Sequence, residues 1–531
     1  EVYKIIDKNL IKTTNFKKIE EILDNNESYK NLKEVNKRHI INYINKQIEM
    51  IKENKNFNET KRNMNNKNDN DNNNDKSKKL KYKIVDDGNK QNEGEELSSQ
   101  TTAIMLKKMT KEEYERLKDI FVALSMIILP EQRTPEWFEM RNGKMTASDA
   151  GCAAGENKHE HKYKFVDKKV NGSTFKTNVA CYHGKKLEEP VTLMYEYQND
   201  VKVIEFGLLG HEVHTFLGAS PDGICSPYKR NGKTKTDLVG RMLEIKCPLT
   251  RKIKYKGEIK DNICPIYYWD QVQNQLACCD LEECDFVQCN IEEYSSKEEW
   301  DEDMNEECYY KSKKYGKERG VLVEFLPVDL FIDKEKEKEK AKENKICPDD
   351  SDDEDEDDED DEDDEQKYGE GYDEDGKVKL SRIYDMATFK YQPKIDMTQK
   401  QIEAWVKATT KGYKNIYDIK KEQDNGTFNK EKEKNVAIHK VIYWRLKERN
   451  CTLIKRDREW FENMLPKFQQ IWDYVIFLRN NKEKRKKWKE IVKQKEKIFQ
   501  QRQFNNYYIK SLEKTKLGDE LYQDMINIIN E

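Results

Sequence analysis

Changes in the period of apolar and polar residues divide the chain. From residue 1 to about 55, Ile5, Ile6, Leu10, Ile19, Ile22 and Leu23 recur among charges at helical spacing, which predicts an N-terminal helical segment. Residues 56–105 lose that pattern. Their stretch "NMNNKNDNDNNNDKSKK" has no apolar residue after Met64, cannot bury enough surface to fold, and predicts a linker. Apolar density returns at Leu106. The span 106–333 holds most of the glycines and short apolar runs of strand character, among them "HTFLGA" and "RMLEIKC". A lysine/glutamate run then opens a charged insertion over 334–380. Past it, Trp460, Met464, Phe468, Ile471, Trp472 and Val475 recur at three- and four-residue steps and give one apolar helical face. Such a face needs a core to cover, so 381–480 is expected to be a helical part completing the same folded unit. The tail, 481–531, opens on "NKEKRKKWKEIVKQKEK" and reads as a basic helix.

Charge sharpens this division. The chain of 531 residues is 38% charged and 35% hydrophobic, so much of it must be solvated linker or charged helix. The run from Asp349 to Glu365 has 16 acidic residues among 17, and without it the net −5 becomes +11. A basic remainder suits a nucleic-acid partner. No run of about 18 apolar residues occurs, so no membrane span is expected. There is no secretory signal pattern, although the chain begins at Glu1 rather than a methionine. Twelve cysteines in so lysine-rich a chain read as reduced, intracellular thiols. Cys278, Cys279, Cys284 and Cys289 cluster, but not at zinc-finger or zinc-ribbon spacing.

The two apolar runs "HTFLGA" and "RMLEIKC" flank "SPDG" and a lysine-rich loop, and read as a β-hairpin. Strand side chains alternate, so Glu244 and Lys246 share one face while Leu243, Ile245 and Cys247 take the other. Asp222, just past the partner strand, would approach Glu244 across the hairpin. Unpaired buried charges cost roughly several kcal/mol, so something must offset two carboxylates and an ammonium at one point. A hard divalent cation such as magnesium suits that oxygen-rich arrangement, and the lysine could orient or help deprotonate an attacking water. Alone, "ExK" is common and "SPDG" is an ordinary turn; their succession is specific.

The ordered blocks "RTPEWFEMRNGKMTASDAG", "HGKKLEEPVTLMYE", "FLGASPDG", "LEIKCP" and "YYWDQVQNQL" resemble the lambda-exonuclease (YqaJ-like viral recombinase) family of the PD-(D/E)xK nuclease superfamily. The resemblance spans about residues 130–290. It implies an α/β fold: a restriction-endonuclease-like core with a central mixed β-sheet flanked by helices, here with helical and disordered extensions. It makes Asp222, Glu244 and Lys246 catalytic. Metal ligands would be Asp222, Glu244, the Ile245 carbonyl and Glu212; the catalytic set would also include Glu188, acting near the metals through water, and Gln271, bordering the site, with Tyr268 one turn before Gln271. Magnesium or manganese, as two ions, would be the cofactor. The long basic loop between Asp222 and Glu244 departs from the family pattern.

"TASDAG" also has a physical reading as the start of a helix, with Ser148 or Thr146 near the N-cap. Helix N-termini bind anions, and Arg141 could add a bidentate phosphate contact. The resemblance implies that Arg141 and Ser148 build a pocket for a terminal 5′-phosphate, while Trp137 is expected to anchor the core. His211 and His214, with His159 and His161, offer a rival zinc set, but strand geometry would turn His211 and His214 to opposite faces. The loop "YKRNGKTKTD" and the basic tail are candidate phosphate contacts. The expected function is 5′→3′ exonuclease action on double-stranded DNA ends in viral-type recombination or repair. The expected partner is a single-strand-annealing protein, homo-oligomers being open, and the place of action intracellular: cytoplasm, viral factory or nucleus. The rivals are an endonuclease or nickase on this fold, and a catalytically silent DNA-binding or assembly protein.

Overall fold

A computed structural model of the chain describes residues 109–130, 134–172, 178–328, 380–429, 434–505 and 516–530. All belong to one compact unit, Leu106–Glu531. The expected N-terminal helical segment and linker, and all but the last residue of the charged insertion, lie outside the described residues.

The strands are β1 (Met145–Thr146), β2 (Val203–Ile204), β3 (Leu209–Gly210), β4 (Leu217–Ala219), β5 (Gly223–Cys225), β6 (Met242–Lys246), β7 (Glu283–Glu293), β8 (Arg319–Pro327), β9 (Thr388–Tyr391) and β10 (Val436–Lys455). Seven form a sheet in the order β2-β5-β6-β7-β10-β8-β9, and β1-β4-β3 form a small second sheet. In the large sheet β6 and β7 run parallel, with Glu244 beside Phe286 and Lys246 beside Gln288; the other pairs are antiparallel. The main helices are α1 (Lys111–Ser125), α2 (Pro135–Asn142), α3 (Lys162–Asn171), α4 (Val179–Asn199), α5 (Ile266–Cys279), α6 (Gln399–Thr410), α7 (Arg458–Arg479) and α8 (Lys482–Asn505). This is an α/β unit built on a mixed sheet with flanking helices.

Local chemistry sets the helices that matter for the site. α4 starts where the Asn178 side chain accepts from the Cys181 amide at 2.9 Å, and stops at Asp200, which takes a left-handed φ of 49°. Its Leu187, Val191 and Met194 recur at three- and four-residue steps and pack on Leu243, Ile245 and Cys247, the apolar face of β6. α5 lies on the other face of β6. α7 begins at Asp457, whose carboxylate accepts from the Trp460 amide at 2.9 Å, and it buries Met464, Phe468, Ile471, Trp472 and Val475 against α3. The clustered cysteines are core residues divided among three apolar clusters.

Two sequence expectations are corrected. The span 381–480 is not simply helical. It contributes β10, a 20-residue strand between β7 and β8, and the edge strand β9. β10 hides its strand character under charge. Arg445, buried in it, is satisfied by Glu292 at 3.3 Å, Glu299 at 3.0 Å and Asp303 at 3.2 Å. The hairpin is also different: "FLGA" runs into β4 of the small sheet, and β6 pairs instead with β5, the three residues after Asp222. Gly223 permits the turn-over. A Cβ there would lie 2.2 Å from Val203 Cγ1, so only glycine lets β2 close over β5.

Candidate active site

Asp222 sits where the chain leaves the small sheet and joins the large one. Its Oδ2 accepts from the Ile245 amide at 2.6 Å, which ties it to the middle of β6. Alternation along β6 turns Glu244 and Lys246 towards α5. Glu244 is fully buried and fully occupied. Its Oε1 accepts from Gln271 Nε2 at 2.8 Å and from Lys246 Nζ, and its Oε2 accepts from Gln275 Nε2 at 2.7 Å. The two glutamines are four residues apart on α5 and so share a face. Lys246 Nζ also stands 4.7 Å above the Tyr268 ring.

The electrostatics are those of crowded carboxylates. Burial, then the neighbouring Glu244 and Glu188, push the Asp222 carboxyl well above its ordinary value, and Lys246 and the Ile245 amide only partly oppose this. Burial and Glu244 likewise raise Glu188, on α4, to about 7. Burial works against the Lys246 ammonium, but Glu244 and Asp222 outweigh it and hold its pKa above the usual lysine range. A divalent cation would relieve this repulsion, and the donors (carboxylates and the Ile245 carbonyl) are the oxygens such an ion prefers. Among the described residues no group of three or more His, Cys, Asp or Glu is placed to hold an ion as it stands. The Glu244 oxygens face Gln271, Gln275 and Lys246, and would have to turn in part to serve as ligands.

Beside Asp222 opens a cavity of about 210 Å³ lined by Trp137, Arg141, Glu188, Glu205, Ser220, Pro221 and Asp222. Arg141, on α2, lies 5.3 Å over the Trp137 ring. Trp137 is half-buried on a helix with no buried residue, so it is a wall of this cavity rather than the expected core anchor. Of the two candidate caps, Thr146 is the one used. Asp149 Oδ2 accepts from the Thr146 amide at 2.8 Å and from its hydroxyl at 2.6 Å. Ser148 is exposed, its Oγ 3.0 Å from Thr146 Oγ1, and it does not line the cavity. Against burial, Lys169 at 2.8 Å, then Thr146, and last the charge of nearby Arg141 hold Asp149 below the usual carboxylate range.

Residues 136–282 match the YqaJ-like viral recombinase domain. Asp222, Glu244, Lys246, Glu188, Gln271, Arg141 and Ser148 all fall inside that YqaJ-like stretch, whereas β8, β9, β10 and α7 lie beyond it. An uncharacterized protein of Acanthamoeba polyphaga mimivirus is 33% identical over 400 residues, which are 74% of this chain and 62% of that protein. The chain therefore spans under two thirds of the length of this relative. Two crystal structures of an alkaline exonuclease (LHK-Exo) are also similar, one in complex with dAMP and one described as from Laribacter hongkongensis. They are 27% and 28% identical over 30% of this chain and 74% of theirs, with TM-scores of 0.24 and 0.23.

Not every expected residue of the YqaJ-like site gathers there. Glu212 is exposed on the loop after β3 and does not line the cavity. Glu205 does. The β2–β5 register pairs Ile204 with Ile224, which sets Glu205 across from Gly223 and beside Asp222. Its signal in the sequence was a single carboxylate inside the apolar run "VIEFG". Gln275 was legible as the residue one helical turn after Gln271. In the basic loop, Lys229 and Lys235 pair with Asp200 at 3.2 Å and Glu115 at 2.9 Å. The rings of His211 and His214 lie 4.8 Å apart rather than on opposite faces, because both sit on an irregular turn. Among the described residues no helix is long and apolar enough to cross a membrane.

Proposed function

We propose that this chain is a metal-dependent deoxyribonuclease that degrades duplex DNA from its ends in the 5′→3′ direction. The observation that carries the reading is that Asp222, tied to the Ile245 amide, stands next to the buried Glu244 and its partner Lys246 and lines a cavity shared with Glu188 and Arg141. Asp222, Glu244 and the Ile245 carbonyl would hold magnesium or manganese, with Glu188 and Glu205 nearby. The metal would stabilise charge on the phosphate and supply an acidified water. Gln271 and Gln275 fix the rotamer of Glu244, which in turn holds Lys246. Lys246, held by Glu244, would orient the attacking water or help deprotonate it. Glu188, which lines the cavity beside Asp222, would act near the metal through water. Arg141 offers a guanidinium to a phosphate in the cavity.

The names of the similar proteins, a viral recombinase domain and an alkaline exonuclease, support DNA as substrate. The 3′ single-stranded product would pass to a single-strand-annealing protein during recombination, within a cell infected by a large DNA virus. The test is digestion of end-labelled linear duplex beside closed circular DNA, with magnesium, manganese or EDTA. Metal-dependent loss of the linear DNA alone is expected. Cutting of the circle would make the enzyme an endonuclease, and no digestion of either would remove the reading.

A further inference from the structure

Helix α4 borders two cavities. Glu188 borders the candidate centre, and the next residue, Glu189, lines a separate cavity of about 380 Å³. The edge strand β9 gives it Phe389 and Tyr391, two positions apart on one strand and both half-buried. α6 gives it Trp405, also half-buried. Lys202 and Lys390 complete the lining and are exposed to solvent, Lys202 being paired with Glu196 at 2.9 Å. The two sites are close: the Tyr391 phenol is raised by burial and then by the charges of both Glu189 and Glu188.

We propose that this groove of Phe389, Tyr391 and Trp405, rimmed by Lys202 and Lys390, binds single-stranded DNA by stacking its bases. Three aromatic rings at one cavity offer faces that any base can use, and the lysines supply the charge that a phosphate backbone needs. The volume is near the lower end of small-molecule pockets, about right for one nucleotide. A purely apolar ligand would meet the Glu196-paired Lys202 at the rim and gain nothing from it, and a wholly anionic one would leave the rings unused and meet Glu189. A nucleotide strand engages both kinds of group. The inference rests on the proposed nuclease reading for why a single strand should be near: the strand left after hydrolysis needs a path away from the centre.

The test is anisotropy of a labelled oligothymidylate of about ten nucleotides, with the full chain in the Asp222→Asn background so that nothing is cut. Trp405→Ala should weaken binding about five- to a hundredfold, and Trp405→Phe should restore most of it. Lys390→Ala, at an exposed position, should reduce the slope of log affinity against log salt by about 0.7. Unchanged oligonucleotide affinity in both Trp405→Ala and Lys390→Ala overturns the groove, whatever the enzyme does to duplex ends. The converse result is separate. If wild type cuts no DNA yet Trp405→Ala loses the oligonucleotide, the nuclease reading fails and the groove stands.

Discussion

Gln275 holds the oxygen of Glu244 that neither Gln271 nor Lys246 reaches, its Nε2 2.7 Å from Oε2 on a side chain with no exposed surface. It belongs to the support of the site rather than to its reacting face. Gln275→Leu should leave the fold standing and free that carboxylate oxygen to swing. Turnover on linear duplex is expected to fall about ten- to a hundredfold, with weaker apparent affinity for magnesium. A metal titration of activity checks it, and an unaltered midpoint with full activity would make Gln275 mere filling.

Asp222→Asn and Glu244→Gln should each abolish hydrolysis while the circular dichroism spectrum and duplex binding persist. Lys246→Ala should lower turnover severely, because the water or phosphate loses its fixed charge. Purified variants with near-normal rates would remove the assignment of the site.

The pH dependence of the metal-free protein has a definite sign. Folding raises Glu188 from 4.5 to about 7, so the folded chain binds that proton more tightly than the unfolded one. Its contribution to stability is complete below about pH 4.5 and is lost as pH rises towards about 7. In EDTA, Glu188→Gln should remove this loss, on the order of 1–3 kcal/mol between the two limits. Urea melts at pH 5 and pH 8 compare the two proteins, and magnesium should shrink the wild-type loss by neutralising the cluster.

If the cavity walled by Arg141 receives a terminal phosphate, the enzyme should prefer 5′-phosphorylated duplex to 5′-hydroxyl duplex. Arg141→Ala should cost about ten- to a hundredfold on phosphorylated ends and much less on hydroxyl ends, through loss of a charge-assisted contact. Ser148→Ala should act weakly, since the hydroxyl is exposed and touches Thr146. Paired rates on the two substrates decide; equal slowing on both would make Arg141 a general backbone contact.

Much of the centre was legible because strand alternation is local. "LEIKCP" sets Glu244 and Lys246 on one face whatever β6 pairs with, and Asp222 lies beside it through the glycine that follows. What escaped depended on partners distant in sequence. The choice between β4 and β5 as the mate of β6 follows from where β2 closes, and the same closure brings Glu205 rather than Glu212 to the metal candidates. β10 escaped for a related reason. Its "RLKERN" segment looks solvated in one dimension, and its central arginine is neutralised only by acids from residues 292–303.

The pairing of β8 with β9 has a consequence for how such a chain can change. Phe325 is registered with Thr388, so the two strands that flank the intervening charged segment in sequence are paired neighbours at the rim of the sheet. Closing a loop between fixed ends grows costlier only slowly, by about 0.6 kcal/mol for each doubling of length. A change in the length of that segment therefore leaves β6 and β7 in register. The rim is thus a place where the chain can lengthen or shorten without moving β6 or β7, the strands beside Asp222 and Glu244.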